Sequence, residues 1–288
     1  MIPEDKNINY YTPQFTLLVE RVLLELWGRL GEYRDNLVLV GGLAPRYITA
    51  HPDGYIFSKA THCGTMDIDL GISLAVTENE KYKHIHRIMK EMGFQYAKND
   101  DGTRKSHTFE IAIEGQTVSV DFLTTSYDGQ PERNVRKIEH ELSAIKVKGM
   151  GLALQSPLTV RIDGMNLHGD KVTESIAVCR PVAYIVLKVI SFDARRADKD
   201  SYDLVYTLLN YGKGAESIAQ EILPTDINAK TFQAAMDMLK FHYASPEHVG
   251  SRAYARFIQQ PQEAANAFAA VQQFLLLAEE QIRRFKLL

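Results

Sequence analysis

The chain has 288 residues, 45% of them apolar and 24% charged, a composition that excludes a disordered, collagen-like or low-complexity chain. The net charge is −3, which argues against a protein that coats nucleic acid through bulk positive charge but allows a small basic groove. Two cysteines allow at most one disulfide, and a single pair in a chain of this length fits a reducing compartment.

The most apolar stretches, residues 15–30 and 183–192, both contain charged side chains. Neither approaches the roughly 20 uncharged residues that a membrane-spanning helix needs. The polar and acidic start of the chain also lacks the basic and then apolar pattern of a secretion signal. We therefore expect a cytoplasmic protein that does not associate with membranes.

The first part of the chain predicts alternating helices and strands. Residues 15–30 have apolar side chains at helical spacing, residues 36–40 form a short buried strand, and Gly41-Gly42 ends that strand and opens a helix through Ile48. A loop over 51–65 then leads to a second strand at 66–74, where apolar and small or acidic residues alternate. This order is typical of an α/β domain.

The remaining elements divide near residue 180. A helix over 78–92 ends at Gly93 and is followed by short strands, which the pattern places at 94–97, 107–113, 117–123, 158–162 and 172–178. From Pro181 onward the sequence is almost purely helical, with breaks near Gly212, Pro224 and Pro246. We therefore predict an α/β domain with a mixed sheet over residues 1–180 and a helical domain over residues 181–288.

Two acids lie at the start of the second predicted strand. Strand alternation puts Asp67 and Asp69 on one face and Ile68 and Leu70 on the core face. Neighbouring like charges cost free energy unless a cation or a donor holds them, so the pair suits an oxygen-liganded Mg²⁺ ion. Because about four to five acid-x-acid pairs arise by chance in this composition, a solvated strand end remains the alternative.

A third acid and a glycine turn complete the candidate site. Asp121 is flanked by Val120 and Phe122, which should face the core while the carboxylate points the other way. If its strand lies beside the first, three carboxylates converge, an arrangement that suits two Mg²⁺ ions in phosphoryl or nucleotidyl transfer. Gly41-Gly42 would present amide protons to a polyphosphate, although such a turn has a purely structural interpretation too.

The helical part contains a polar stripe. Lys188 interrupts an apolar run, and if one helix continues through it, Lys199 lies about three turns further on the same face, with Asp203 one turn beyond. The alternative is a lysine that extends its ammonium group to solvent, together with a surface ion pair between Lys199 and Asp203. The acids upstream favour the functional interpretation.

Taken in chain order, the glycine turn, the paired acids and the third acid resemble the motifs of the polymerase-β-like nucleotidyltransferase superfamily. The first three are Val40-Gly41-Gly42, then Gly64-Thr65-Met66-Asp67-Ile68-Asp69, then Val118-Ser119-Val120-Asp121. Lys188, followed by the segment from Arg196 to Asp203, resembles one branch, the AbiEii/AbiGii-type nucleotidyltransferase toxins of bacterial defence and toxin–antitoxin systems. The resemblance spans residues 36 to about 210.

The resemblance implies a nucleotide between the two domains, two Mg²⁺ ions and transfer of a nucleoside monophosphate from an NTP to a hydroxyl group. Asp67, Asp69 and Asp121 would be the catalytic metal ligands, with Asp121 orienting or deprotonating the acceptor. The nucleotide-binding residues that it implies are Gly41, Gly42, Thr65, Lys188, Arg196, Lys199, Asp200 and Asp203.

Two departures from the superfamily pattern affect the acceptor. The segment between Gly42 and Asp67 is longer than in most relatives, and Gly42 stands where many have a phosphate-binding serine. His51, His62 and Cys63 in the longer segment also suggest zinc, but no fourth ligand follows at a recognisable spacing.

We interpret the chain as a Mg²⁺-dependent nucleotidyltransferase that acts on RNA or protein and is paired with a neutralising antitoxin protein. Two alternatives remain open: a small-molecule nucleotidyltransferase of the antibiotic-modifying kind, and a non-catalytic nucleotide-binding regulator of the same fold. The presence of all three acids counts against the regulator.

Overall fold

The computed structural model describes residues 6–49, 62–73, 84–126, 135–138 and 141–287. Two compact units divide these residues. One unit holds the described residues of Tyr11–Ala44 and Cys63–Cys179, and the other holds those of Met1–Tyr10, Pro45–His62 and Arg180–Leu288. Most of the predicted loop at 51–65, position 74 of the second predicted strand and the first part of the predicted helix at 78–92 lie outside the described residues.

The first unit is built on a mixed sheet, for which nine strands are described: β1 Leu37–Val40, β2 Asp67–Ile72, β3 Gln95–Lys98, β4 Arg104–Ile113, β5 Gln116–Thr125, β6 Val135–Lys137, β7 Ser143–Val147, β8 Leu158–Met165 and β9 Lys171–Val178. Their order is β3-β4-β5-β2-β1-β9-β8, and β7 pairs with both β5 and β6. Strand β2 runs antiparallel to β1 and parallel to β5. The mixed sheet confirms the predicted fold class.

Helix α1, Pro13–Leu30, covers one face of this sheet. It begins where the Thr12 hydroxyl accepts a hydrogen bond from the amide of Phe15, with Pro13 in the first turn, where no helical amide partner is lost. Trp27 is buried and donates from Nε1 to the carbonyl of Ser175 on β9 at 3.0 Å. The apolar residues of β2 and β5 face this same core, and their acids therefore lie on the opposite face.

Three short helices complete the elements that precede Arg180: α2 Ala44–Ile48, α3 Ile85–Glu91 and α4 Met150–Ala153. The predicted helix that opens at Gly41 is a 3₁₀ turn over Gly41–Leu43 followed by the five residues of α2. Strands β6 and β7 and helix α4 were not predicted, because each has five residues or fewer and too little periodicity to detect.

The second unit is helical from Pro181 onward, as predicted. Its helices are α5 Pro181–Arg195, α6 Asp198–Asn210, α7 Ala215–Gln220, α8 Pro224–Asn228, α9 Lys230–His242, α10 Val249–Phe257 and α11 Ala264–Lys286. Lys188 and Asp203 do not lie on one continuous helix, because Arg196 adopts a left-handed conformation, with φ of 54°, and ends α5. No described helix is both long and apolar enough to span a membrane.

A buried ion pair ties the start of α5 to α8. Arg180 Nη2 donates to Asp226 Oδ1 at 2.7 Å, and Arg180 Nη1 donates to the carbonyl of Glu221 at 3.0 Å. Asp226 Oδ2 also accepts the amide proton of Leu223 at 2.9 Å, which caps α8. Both charged side chains are almost completely buried, so each depends on the other for compensation.

We expect Asp226→Ala to lower the free energy of unfolding by about 3–5 kcal/mol, because it leaves the guanidinium of Arg180 buried without its carboxylate. Asp237→Ala, at an exposed position of α9, serves as the control and should change stability by no more than about 0.5 kcal/mol. Urea denaturation of the full chain measures both values. Equal losses in the two variants would contradict a specific role for the pair.

Candidate active site

The acids of β2 alternate with core residues as the strand pattern predicted. Ile68 and Leu70 are fully buried, whereas Asp67 and Asp69 are half-buried on the other face. Strand β1 fixes the position of the second acid, since Val40 pairs with Asp69 in the antiparallel register. Asp69 therefore lies beside the end of β1, where the glycine turn begins.

The third acid, Asp121, lies on the neighbouring strand β5, directly beside Asp69. In the parallel register of β2 and β5, Asp69 pairs with Asp121 and Asp67 pairs with Ser119. Paired residues on adjacent strands point to the same face, so Asp67, Asp69 and Asp121 share one face of the sheet. This placement follows from the backbone pairing alone.

Two threonine hydroxyls hold two of these carboxylates. Thr65 Oγ1 donates to Asp67 Oδ1, and Thr108 Oγ1 donates to Asp121 Oδ1. Thr65 is among the residues predicted to bind nucleotide, whereas the sequence analysis did not single out Thr108. The β4–β5 register could have identified it, because counting back from the turn at Glu114–Gly115 pairs Thr108 with Asp121.

The pKa of Asp121 is raised above its usual range. Burial is the largest cause, the negative charge of Asp67 acts in the same direction, and the hydrogen bond from Thr108 opposes both. Glu110, two residues from Thr108 along β4, raises the pKa further. Asp121 therefore holds a proton more tightly than an aspartate in water does.

Gly41 and Asp69 are in direct contact. Gly41 has a φ of 65°, and a Cβ atom at this position would lie 1.7 Å from Asp69 Oδ2. Any side chain at position 41 would displace the carboxylate, and the backbone conformation also favours glycine. The glycine turn and the acid therefore form one compact arrangement.

The donor set suits a hard cation, although its carboxylates are not gathered around one point. Among the described ranges, no group of three or more histidine, cysteine, aspartate or glutamate side chains is close enough together to hold a metal ion. Asp67 and Asp121 nevertheless repel each other across β2 and β5, as the raised pKa of Asp121 indicates. A divalent cation bound by carboxylate oxygens would relieve that repulsion, so these residues fit Mg²⁺.

Lys188 lies in the helical unit and is buried, with its Nζ 2.7 Å from Asp203 Oδ2 and 3.2 Å from Asp200 Oδ1. Burial alone would lower the pKa of Lys188, but Asp203 and Asp200 outweigh it and raise the pKa. Lys199 Nζ lies 2.7 Å from the other oxygen of Asp203. The two lysines and two aspartates thus form one buried cluster even though a helix break separates Lys188 from the others.

His62 belongs to the same cluster and was not predicted there. Its Nε2 lies 2.9 Å from Asp203 Oδ1, and its ring packs against Tyr202 and Tyr206. Burial lowers the pKa of His62 to about 4, although Asp203 acts in the opposite direction. The ring is therefore neutral near pH 7, with Nε2–H donating to the carboxylate. His62 and Asp203 are 141 positions apart, so no local pattern could have paired them.

Arg196 lies at the C-terminal end of α5 and contacts Asp193 and His242. Arg196 Nη2 is 3.2 Å from Asp193 Oδ1, and Nη1 is 2.6 Å from His242 Nδ1. These contacts place Arg196 outside the Lys188 cluster within the helical unit. Its predicted role in nucleotide binding stays a prediction, as do those of Lys188, Lys199, Asp200 and Asp203.

We expect stability to fall by an additional ~3 kcal/mol as the pH is lowered from about 6.5 to 4, because the unfolded chain protonates His62 in this window and the folded chain does not. Urea denaturation at several pH values should show that His62→Gln removes this component. His168→Gln, at an exposed histidine of the β8–β9 turn, should retain it. Identical pH dependence in the wild type and His62→Gln would refute the assignment.

Three solved structures resemble the chain at low sequence identity. An antigenic nucleotidyltransferase-like protein from Paracoccidioides brasiliensis is 15% identical with a TM-score of 0.36, covering 85% of this chain and 93% of that chain. The antibiotic-resistance factor ANT(2'')-Ia is 12% identical with a TM-score of 0.27, and the match covers 91% of this chain and 97% of that chain. The matching chain of the CdnC:HORMA-deltaN complex of E. coli MS115-1 is 11% identical with a TM-score of 0.25, and the match covers 91% of this chain and 91% of that chain.

No curated protein matches the chain at a significant level. A family model described as nucleotidyltransferase, in contrast, matches residues 18–205, which is 188 of the 288 residues. The matched segment contains the glycine turn, all three acids of the sheet and the buried lysine–aspartate cluster. The chain therefore belongs to the nucleotidyltransferase family.

Proposed function

We propose that this nucleotidyltransferase uses Mg²⁺ to transfer a nucleoside monophosphate from an NTP to a hydroxyl group of RNA or protein. The observation that carries the proposal is the parallel register of β2 and β5, which sets Asp69 beside Asp121 with Asp67 on the same face. The contact between Asp69 and Gly41 adds backbone amides next to the acids. Acids and amide donors side by side suit a metal-bound triphosphate.

Asp67, Asp69 and Asp121 are the residues that would hold Mg²⁺, since hard divalent cations prefer carboxylate oxygens. When bound, Mg²⁺ neutralises charge on the triphosphate and on the attacking oxygen. We assign Asp67 and Asp69 to the side of the triphosphate and Asp121 to the side of the acceptor. The amides of Gly41 and Gly42 would donate to phosphate oxygens, and Thr65 would keep Asp67 oriented.

In the transfer step, the acceptor oxygen forms a bond to the α-phosphorus, and the bond from that phosphorus to the bridging oxygen of the β-phosphate breaks. Pyrophosphate leaves, and the acceptor proton passes to Asp121. The position of Asp121 on the same face as Asp67 and Asp69 supports this role, because a proton acceptor must lie beside the reacting groups.

The cations of the helical unit would act on the phosphates. Lys188, Lys199 and Arg196 would supply positive charge, and Asp200 and Asp203 would fix these cations. The ion pairs of Asp203 with both lysines support the second assignment.

We further propose that the chain is an AbiEii-like toxin of a toxin–antitoxin or phage-defence system, acting in the cytoplasm with an antitoxin protein as its partner. The motif Lys188 followed by Asp200 and Asp203 supports this branch of the family. The chemistry fits the location, because NTPs and RNA are both abundant in the cytoplasm.

Incubation with α-labelled NTPs and total cellular RNA or protein tests the reaction. Asp69→Asn should abolish label transfer, and Asp121→Asn should lower it by about 10² or more, the usual contribution of a positioned base. Calorimetry should show that Asp121→Asn keeps Mg²⁺-NTP affinity within about tenfold, or about 1.4 kcal/mol, of the wild type. Glu110→Gln removes a neighbouring charge on β4 and is the matched control, with an expected loss below about tenfold.

Near wild-type transfer by Asp121→Asn would show that the three-carboxylate mechanism is wrong. Nucleotide binding without any transfer by the wild type would favour a regulator. Transfer to added small-molecule hydroxyl acceptors, but not to RNA or protein, would favour an antibiotic-type enzyme.

Expression of the chain without its partner tests the toxin proposal. We expect slower growth of the host cells, and we expect Asp69→Asn to restore normal growth, because the harm requires catalysis. Growth curves with protein levels matched by immunoblotting provide the comparison. Equal toxicity of the two proteins would point to a mechanism other than nucleotidyl transfer.

A further inference from the structure

The β4–β5 hairpin places one hydroxyl group opposite Asp121. The hairpin closes at Glu114 and Gly115, both of which have positive φ, at 52° and 77°. Two positive φ values are typical of the two-residue turn that matches the twist of paired strands. From this turn the register is continuous from Ile113–Gln116 to Thr108–Asp121, so the turn determines which residue faces the acid.

The Thr108 side chain is suited to hold a carboxylate in one orientation. Its hydroxyl donates to Asp121 Oδ1 and leaves Oδ2 without a hydrogen bond from any described residue. Threonine is branched at Cβ, so its side chain has few rotamers and keeps the hydroxyl in place. The contact thus distinguishes the two oxygens of Asp121, one bound and one available.

We infer that Thr108 is a positioning residue that orients Asp121 so that Oδ2 faces the acceptor hydroxyl. This inference rests on the proposed function, in which Asp121 receives the acceptor proton. Loss of the hydroxyl would let the carboxylate rotate, and transfer would slow without a loss of NTP binding, because Asp67 and Asp69 remain on β2 to face the triphosphate. Loss of a hydrogen bond to a metal-binding side chain commonly costs about 10- to 100-fold in activity or metal affinity.

The variants Thr108→Val and Thr108→Ser isolate the hydroxyl. Valine retains the branched shape and the preference for strands, whereas serine restores the donor. Thr117→Val is the matched control, since Thr117 lies on the same face of β5, four residues before Asp121, and is exposed. Thermal unfolding of all variants reports whether any of them disturbs the fold.

With α-labelled NTPs and total RNA or protein, we expect Thr108→Val to lower kcat for label transfer by about 10- to 100-fold while the KM for NTP stays within about threefold. Thr108→Ser should recover most of the rate, and Thr117→Val should match the wild type. Mn²⁺ affinity, measured by electron paramagnetic resonance without any acceptor, should weaken by about tenfold in Thr108→Val only.

Asp121→Asn, assayed in parallel, separates the two possible failures. An inactive Asp121→Asn together with a fully active Thr108→Val would overturn the inference and leave the proposed function intact. Full activity of Asp121→Asn would overturn the proposed function and, with it, the inference. Were the wild type to transfer no label, unchanged Mn²⁺ affinity in Thr108→Val would still refute the role of Thr108, as would a loss of rate that serine does not recover.

Discussion

Like charges placed side by side on one face of a sheet are the constraint on which the site depends. The parallel pairing of β2 and β5 fixes Asp69 beside Asp121, and like charges on directly paired residues destabilise a sheet. The pKa of Asp121 is raised first by burial and then by the charge of Asp67, so the hydrogen bond from Thr108 only partly offsets the cost of burying this acid beside Asp67. A fold that retains such repulsion in one place has a negative site that gains stability when a cation binds.

The second constraint is steric, because a side chain at position 41 would clash with Asp69. Asp69 Oδ2 occupies the volume in which any other residue would have its Cβ atom, so the end of β1 and the middle of β2 can approach only at a glycine. The helix that follows has just five residues, so its dipole adds little. Anion binding at this turn would therefore rest on individual amide donors held next to the acids.

Much of the first unit could be predicted from the sequence, because its longer strands alternate between buried and exposed residues. The faces of Ile68 and Asp69 follow from alternation, and the β4–β5 register follows from a two-residue turn. Other features depend on tertiary contacts that leave no local pattern. The break at Arg196 follows Asp193-Ala194-Arg195, which would continue a helix equally well, and the partner of His62 lies 141 positions away.

In the helical unit, by contrast, the buried acids form ion pairs with neighbouring cations. Asp200 and Asp203 face three cations, Lys188, Lys199 and Arg195, while His62 stays neutral. This pairing lowers the cost of burying the aspartates, because an uncompensated buried charge is costly. Lys188 is 9% exposed and bound to both aspartates, whereas Arg195 is 55% exposed. The ion pairs therefore hold Lys188 within the cluster, while Arg195 binds Asp200 from the exposed side.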